Sequence, residues 1–192
     1  MRRAAYALLV ANIAVGTLPS IAQDVVPWKE VGNWTVNVDR TVQDGCYMYA
    51  IGVRGTISRI GFTSSRALYW MLGHDDWQSL EKGKEYSISV SFDGASPFTG
   101  RMRAVQLRNS VLLGIEIPRG FLDQFMRSQI MEVMFGDRRV ARLNLRGSYA
   151  AGEELILCQT MIDGGRTPQA GPPARDPFSN IPSGTAPRDP FR

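Results

Sequence analysis

The residues best equipped for chemistry stand together at His74-Asp75-Asp76, where the chain's single histidine meets two carboxylates. An imidazole beside carboxylates suits a general base, and two carboxylates can divide acid and base roles, as a small hydrolase requires. The local spacing favours a structural use. Neighbouring side chains in a strand or turn diverge, and Gly73 before the trio with Trp77 after it reads as a turn in which Asp75 or Asp76 caps residues 77–80. Any Ser-His-Asp triad has only His74 to draw on, and no Gly-x-Ser-x-Gly, phosphate-loop or dinucleotide motif occurs. A lone histidine builds no zinc site once the two cysteines are paired, so neither metal nor cofactor is expected.

A second grouping is cationic. Arg138, Arg139, Arg142 and Arg146 gather late in the chain, and Arg142 and Arg146 share strand parity against Ala141, Leu143 and Leu145. Arg101 and Arg103 are likewise two apart. Such a face commonly serves solubility; its functional use is an anionic partner, such as lipopolysaccharide phosphates or an acidic protein. The overall charge does not describe a nucleic-acid binder. Of the net +4, Arg2 and Arg3 supply two charges, and residues 23–162 hold sixteen basic against fifteen acidic groups.

These groups need elements to position them, and the chain opens with a segment of another kind. Arg2 and Arg3 precede an apolar stretch over residues 4–15, and Ser20 and Ala22 put small residues at −3 and −1 of a cut before Gln23. Residues 1–22 therefore read as an export signal, too short in apolar length for the ~20 residues of a membrane span. Export implies a periplasmic or secreted protein, with no transmembrane segment after cleavage. It also implies an oxidising compartment, in which Cys46 and Cys158 pair as a structural disulfide. Neither belongs to a Cys-x-x-Cys motif.

From about residue 30 the apolar period is two. Trp34, Val36 and Val38 alternate with polar residues, Asp44-Gly45 signals a hairpin, and Cys46, Met48 and Ala50 share the return face. Further strands read at residues 56–62, at the doubly apolar run 67–72, at 86–92, and at 101–108 and 111–117. Phe121, Leu122, Phe125 and Met126 mark one face of a short helix, and a hairpin over 131–145 turns at Gly136-Asp137. Ser148 is placed to cap a second helix whose stripe is Ala151, Leu155, Cys158 and Ile162. Trp34, Trp70 and Trp77 read as core. The fold class is mainly β over residues 23–163: a small β-sandwich or partly open barrel with two short helices.

Residues 164–192 hold seven of the eleven prolines and little apolar clustering, the composition of a disordered tail. They carry one repeat, Arg175-Asp176-Pro177-Phe178 and Arg188-Asp189-Pro190-Phe191. Read functionally, it is a two-copy linear motif that docks phenylalanine into a partner, with avidity from the duplication.

Residues 121–125, 131–135, Gly136-Asp137 and 140–151, the last running Val-Ala-Arg-Leu-Asn-Leu-Arg-Gly-Ser-Tyr-Ala-Ala, resemble exported alphaproteobacterial proteins of the invasion-associated locus B type. Those proteins share a signal peptide and a small β-rich domain ending in a hairpin, a Leu-x-Gly step and an Ala-rich segment. This chain departs from them in holding Cys46 and Cys158 alone. The resemblance implies an envelope protein and offers no catalytic residues to carry over. The expectation is therefore a non-catalytic interaction module of the bacterial envelope, whose partner is another envelope protein or an anionic envelope component. The alternatives are a small envelope hydrolase built on His74 with Asp75 or Asp76, and an inhibitor of a cell-wall enzyme presenting a rigid loop at 93–100.

Overall fold

Alternation such as that of residues 86–92 becomes a strand because every second side chain can leave water together while the others stay solvated. A computed structural model describes residues 24–52, 54–107 and 110–165. The signal-like segment and both Arg-Asp-Pro-Phe copies lie outside the described residues. The strands are β1 (Val25–Val31), β2 (Trp34–Asp39), β3 (Gly45–Ile51), β4 (Ile57–Phe62), β5 (Leu68–Gly73), β6 (Glu85–Phe92), β7 (Phe98–Leu107), β8 (Ser110–Glu116), β9 (Ile130–Phe135) and β10 (Arg138–Asn144). Two helices, α1 (Arg119–Arg127) and α2 (Ser148–Asp163), complete the described elements. All ten strands form one antiparallel sheet in the order β1-β2-β3-β4-β5-β8-β7-β6-β9-β10. A single continuous sheet decides between the two expected architectures: the fold is an open, curled sheet and not a sandwich.

The curl is visible where the two ends of the sheet approach. Trp34 at the start of β2 donates its indole N–H to the carbonyl of Arg146, just past β10, at 3.2 Å. A methyl group added to Gly52, after β3, would meet Leu143 of β10 at 3.5 Å. Among the described residues no strand pairs β10 to β1, so the sheet is not a closed barrel. Its concave face, α1 and α2 share one apolar core, with Trp34, Met48, Ile60, Trp70, Phe92, Leu122, Phe125 and Leu155 buried together. Trp34 meets Phe125 edge-on at 5.5 Å, and Phe92 meets Phe121 at 5.3 Å. The Cys46–Cys158 disulfide joins β3 to α2 across 112 positions, a loop long enough for roughly 4–5 kcal/mol in the chain-entropy account. The Gln159 side chain accepts from the Cys46 N–H at 2.9 Å beside it.

The opposite face of β2–β5 is unusual. Asn37, Asp39, Tyr47, Arg59 and Tyr69 occupy positions out of phase with the core, yet all are buried. Arg59 donates to Asp39 Oδ2 at 2.7 Å and to the Tyr69 hydroxyl at 2.6 Å, with its guanidinium carbon 3.7 Å from the Tyr47 ring centre. Burial works against the Arg59 charge, but Tyr69, Tyr47 and Asp39 outweigh it and hold its pKa above the usual value. Burial also raises the Tyr47 pKa, and pushes that of Tyr69 up to about 12 despite the neighbouring guanidinium.

Several local expectations need correction. β1 has no counterpart in the apolar alternation, because Pro27 and Trp28 interrupt it; as an edge strand with a bulge between Pro27 and Lys29 it tolerates the missing N–H. Asp44-Gly45 does not make a two-residue hairpin. A 3-10 turn at Arg40–Val42, capped by the Asp39 side chain, precedes left-handed Gln43 and Asp44. Ser148 does not cap α2: left-handed Gly147 takes the N-cap position, and the Ser148 hydroxyl donates towards the carbonyls of Phe125 and Met126, fastening α2 to the end of α1. No helix in the described residues is long and apolar enough to cross a membrane.

Candidate functional site

The curling that brings the sheet ends together leaves a groove of about 810 Å³ between β10 and the adjoining ends of β2, β3 and β4. Its walls come from distant parts of the sequence because the long sheet order makes first and last strands neighbours without pairing them. β10 supplies Arg139 and Arg142, the segment after it supplies Arg146, and the turn between β3 and β4 supplies Arg54. Apolar surface lies between them, including Ala50, Ile51, Val140 and Leu143; Ile51 is 39% exposed. Among the described residues, no carboxylate lines the groove.

The strand parity of β10 explains how one segment contributes both parts. Ala141 and Leu143 point into the core while Arg142 and Asn144 remain exposed. A bulge between Arg139 and Ala141 re-aims the arginine before it. Arg139 and Arg142 share one acid, Glu132 of β9, at 2.8 and 3.2 Å, so this trio keeps a surplus positive charge. Arg54 and Arg146 make no side-chain ion pair among the described residues. The groove thus carries three unneutralised charges around an apolar strip, which suits an anionic ligand with some apolar surface.

Of the arginines expected to form a cationic face, the structure brings Arg139, Arg142 and Arg146 into the groove and leaves Arg138 at the start of β10, outside its lining. Arg101 and Arg103 lie on β7 and share Glu85, at 3.7 and 3.0 Å. Sequence reasoning missed Arg54. The one available signal was its place between Gly52 and Gly55, a tight turn that leaves a long side chain projecting.

The His74 cluster is placed next to this site but does not line it. The His74 Nε2–H donates to the Arg54 carbonyl, and Nδ1 accepts the Asp76 N–H at 3.0 Å. A carbonyl accepts only and an amide N–H donates only, so in this geometry Nε2 acts as donor and Nδ1 as acceptor, with Asp76 Oδ2 also 3.5 Å from Nδ1. Both ring nitrogens are then committed within the fold, leaving no lone pair for a substrate. The ring lies 6.3 Å from Trp77, and its side chain is 8% exposed. The expected carboxylate cap is not formed: the imidazole accepts the Asp76 N–H, the His74 backbone carbonyl accepts the Trp77 N–H at 3.0 Å, and no helix follows. His74 therefore positions the Arg54 turn. The loop at 93–100 is shorter than expected, because β7 begins at Phe98 and Thr99 pairs with Ser89. Its first residue is pinned, with Asp93 accepting from the N–H groups of Gln129 and Ile130.

No protein-family model matches the sequence, and no curated protein matches it. Among solved structures, the crystal structure of invasion associated protein B from Bartonella henselae is similar. Its TM-score is 0.51 at 12% identity, and the match covers 69% of this chain and 97% of that one. The likeness is one of fold. It agrees in architecture with the resemblance carried by residues 121–151, and it transfers no site residue.

Proposed function

We propose that this protein is an exported, non-catalytic binding module whose recognition surface is the arginine groove. The observation that carries the reading is the convergence of Arg54, Arg139, Arg142 and Arg146 on one concavity that, among the described residues, no carboxylate lines. Arg101 and Arg103 also share a single acid, Glu85. What sets the groove apart is that Arg54 and Arg146, exposed and without an ion pair among the described residues, join the Arg139–Arg142–Glu132 trio there. The commitment of His74 to Arg54 and Asp76 supports a binding role over hydrolysis at that residue. Export is supported by the signal-like residues 1–22 and agrees with the Cys46–Cys158 disulfide. Its partner is anionic: another envelope protein or an anionic envelope component.

Two simple polyanions, polyphosphate and polyglutamate, test the reading by calorimetry on purified protein. Binding of at least one is expected, weakening about tenfold or more as salt rises from about 50 to about 200 mM, because exposed charges are screened over that range. Failure of both to bind at the lower salt overturns it.

A further inference from the structure

Resting on the groove being an anion-binding surface, we propose that its ligand is an extended acidic peptide segment that adds as an eleventh strand to the free edge of β10. Charge alone does not distinguish a peptide from a phosphate. The backbone does. Among the described residues β10 pairs with β9 on one side and with no strand on the other, so alternate N–H and C=O groups along its outer edge lack a ladder partner there. A phosphate accepts hydrogen bonds but cannot supply the N–H donors that the outward carbonyls take. A second backbone provides both in the required spacing.

The usable edge is local. The bulge between Arg139 and Ala141 interrupts the ladder near the hairpin turn, but from Ala141 to Asn144 the register with β9 is regular, opposite Val133 to Ile130. That stretch also lines the groove. An added strand there enters the groove that Arg54, Arg142 and Arg146 border, with Ile51 and Val140 as apolar lining. Acidic residues in the incoming segment answer the guanidinium groups, and small or β-branched residues between them cover that lining.

Two other occupants are disfavoured by charge. A second copy pairing edge to edge would set one cationic edge against another, a known device against self-association. The chain's own residues 166–192 hold four arginines and two aspartates, so they bring no net negative charge to the groove. The acidic partner is therefore another chain.

The test uses an end-capped heptapeptide alternating Glu and Thr, with two backbone-methylated versions carrying N-methyl groups at odd or at even positions. Polyphosphate serves as the control anion, and titration is combined with amide hydrogen exchange of the full-length protein. The expected result is that the parent peptide binds and slows exchange within residues 141–144. One methylated version should lose about tenfold or more in affinity, because its methyl groups face β10, while the other retains binding. Equal binding of all three peptides overturns strand addition while leaving the anion-binding reading intact. Binding of polyphosphate without the peptide overturns it as well, and points to a phosphate-bearing envelope component. If neither binds, both readings fail.

Discussion

Arginine does two different jobs in this molecule. On the outer face of β2–β5, Arg59 is buried and its guanidinium is met by Asp39, by Tyr69 and by the Tyr47 ring. At the groove, Arg54 and Arg146 are exposed and have no ion-pair partner among the described residues, and Arg139 with Arg142 share one carboxylate. The first arrangement spends its charge inside the fold. The second leaves charge for a ligand. Burial separates the roles, since a desolvated guanidinium without partners would be prohibitive and an exposed one costs the fold little.

The contrast predicts opposite responses to substitution. The largest effect belongs to Asp39→Ala, which leaves Arg59 charged, buried and without its carboxylate; chemical denaturation should show a loss of about 3–5 kcal/mol. Replacing both partners with apolar residues, Asp39→Leu with Arg59→Met, should recover much of that loss. A single-variant loss below about 1 kcal/mol would mean that the outer-face cluster is not the buried ion pair described here.

The tyrosines around Arg59 sharpen the same point through pH. Burial raises the Tyr69 pKa from 10.0 to about 12. Above pH 10 the unfolded chain releases a phenolic proton that the folded chain keeps, so the unfolded state binds fewer protons and stability falls as pH rises. Between pH 10 and about 12 this group should remove roughly 2–3 kcal/mol. Ultraviolet titration should find phenols that ionise late, and Tyr69→Phe should flatten the alkaline loss. Ionisation of every tyrosine near pH 10 in folded protein would contradict the burial of this cluster.

The smallest effect belongs to His74, beside the groove. Its bond to the Arg54 carbonyl positions the turn, so His74→Ala should cost about 1 kcal/mol of stability. It should also weaken polyanion binding a few-fold, about 1 kcal/mol or less. An unchanged affinity would remove His74 as a positioning residue.

Much of the fold was legible because alternation and turn residues act locally. The run 86–92 and the hairpin over 131–145 carry their own patterns, and they appear as β6 and as β9 with β10. The groove was legible only in part. Arg139, Arg142 and Arg146 lie within eight positions of one another, whereas Arg54 precedes Arg146 by 92 positions and joins it only because the ten-strand order curls the sheet ends together. Arg59 gave no sign of burial. Between Ser58 and Ile60 it reads as an ordinary solvated strand position, and its cover comes from Tyr47 and Tyr69 on two neighbouring strands. β1 escaped for a physical reason of its own, since an edge strand can hold Pro27 where a central one cannot.

The most direct test of the division between the two arginine sites is to measure stability and binding together on Arg54→Glu with Arg146→Glu. Because both side chains are exposed and unpaired within the described residues, the melting temperature should stay within about 2 °C of the parent. Affinity for polyglutamate should fall about tenfold or more, as attraction becomes repulsion across the groove. Unchanged affinity in a folded, equally stable variant would contradict the account.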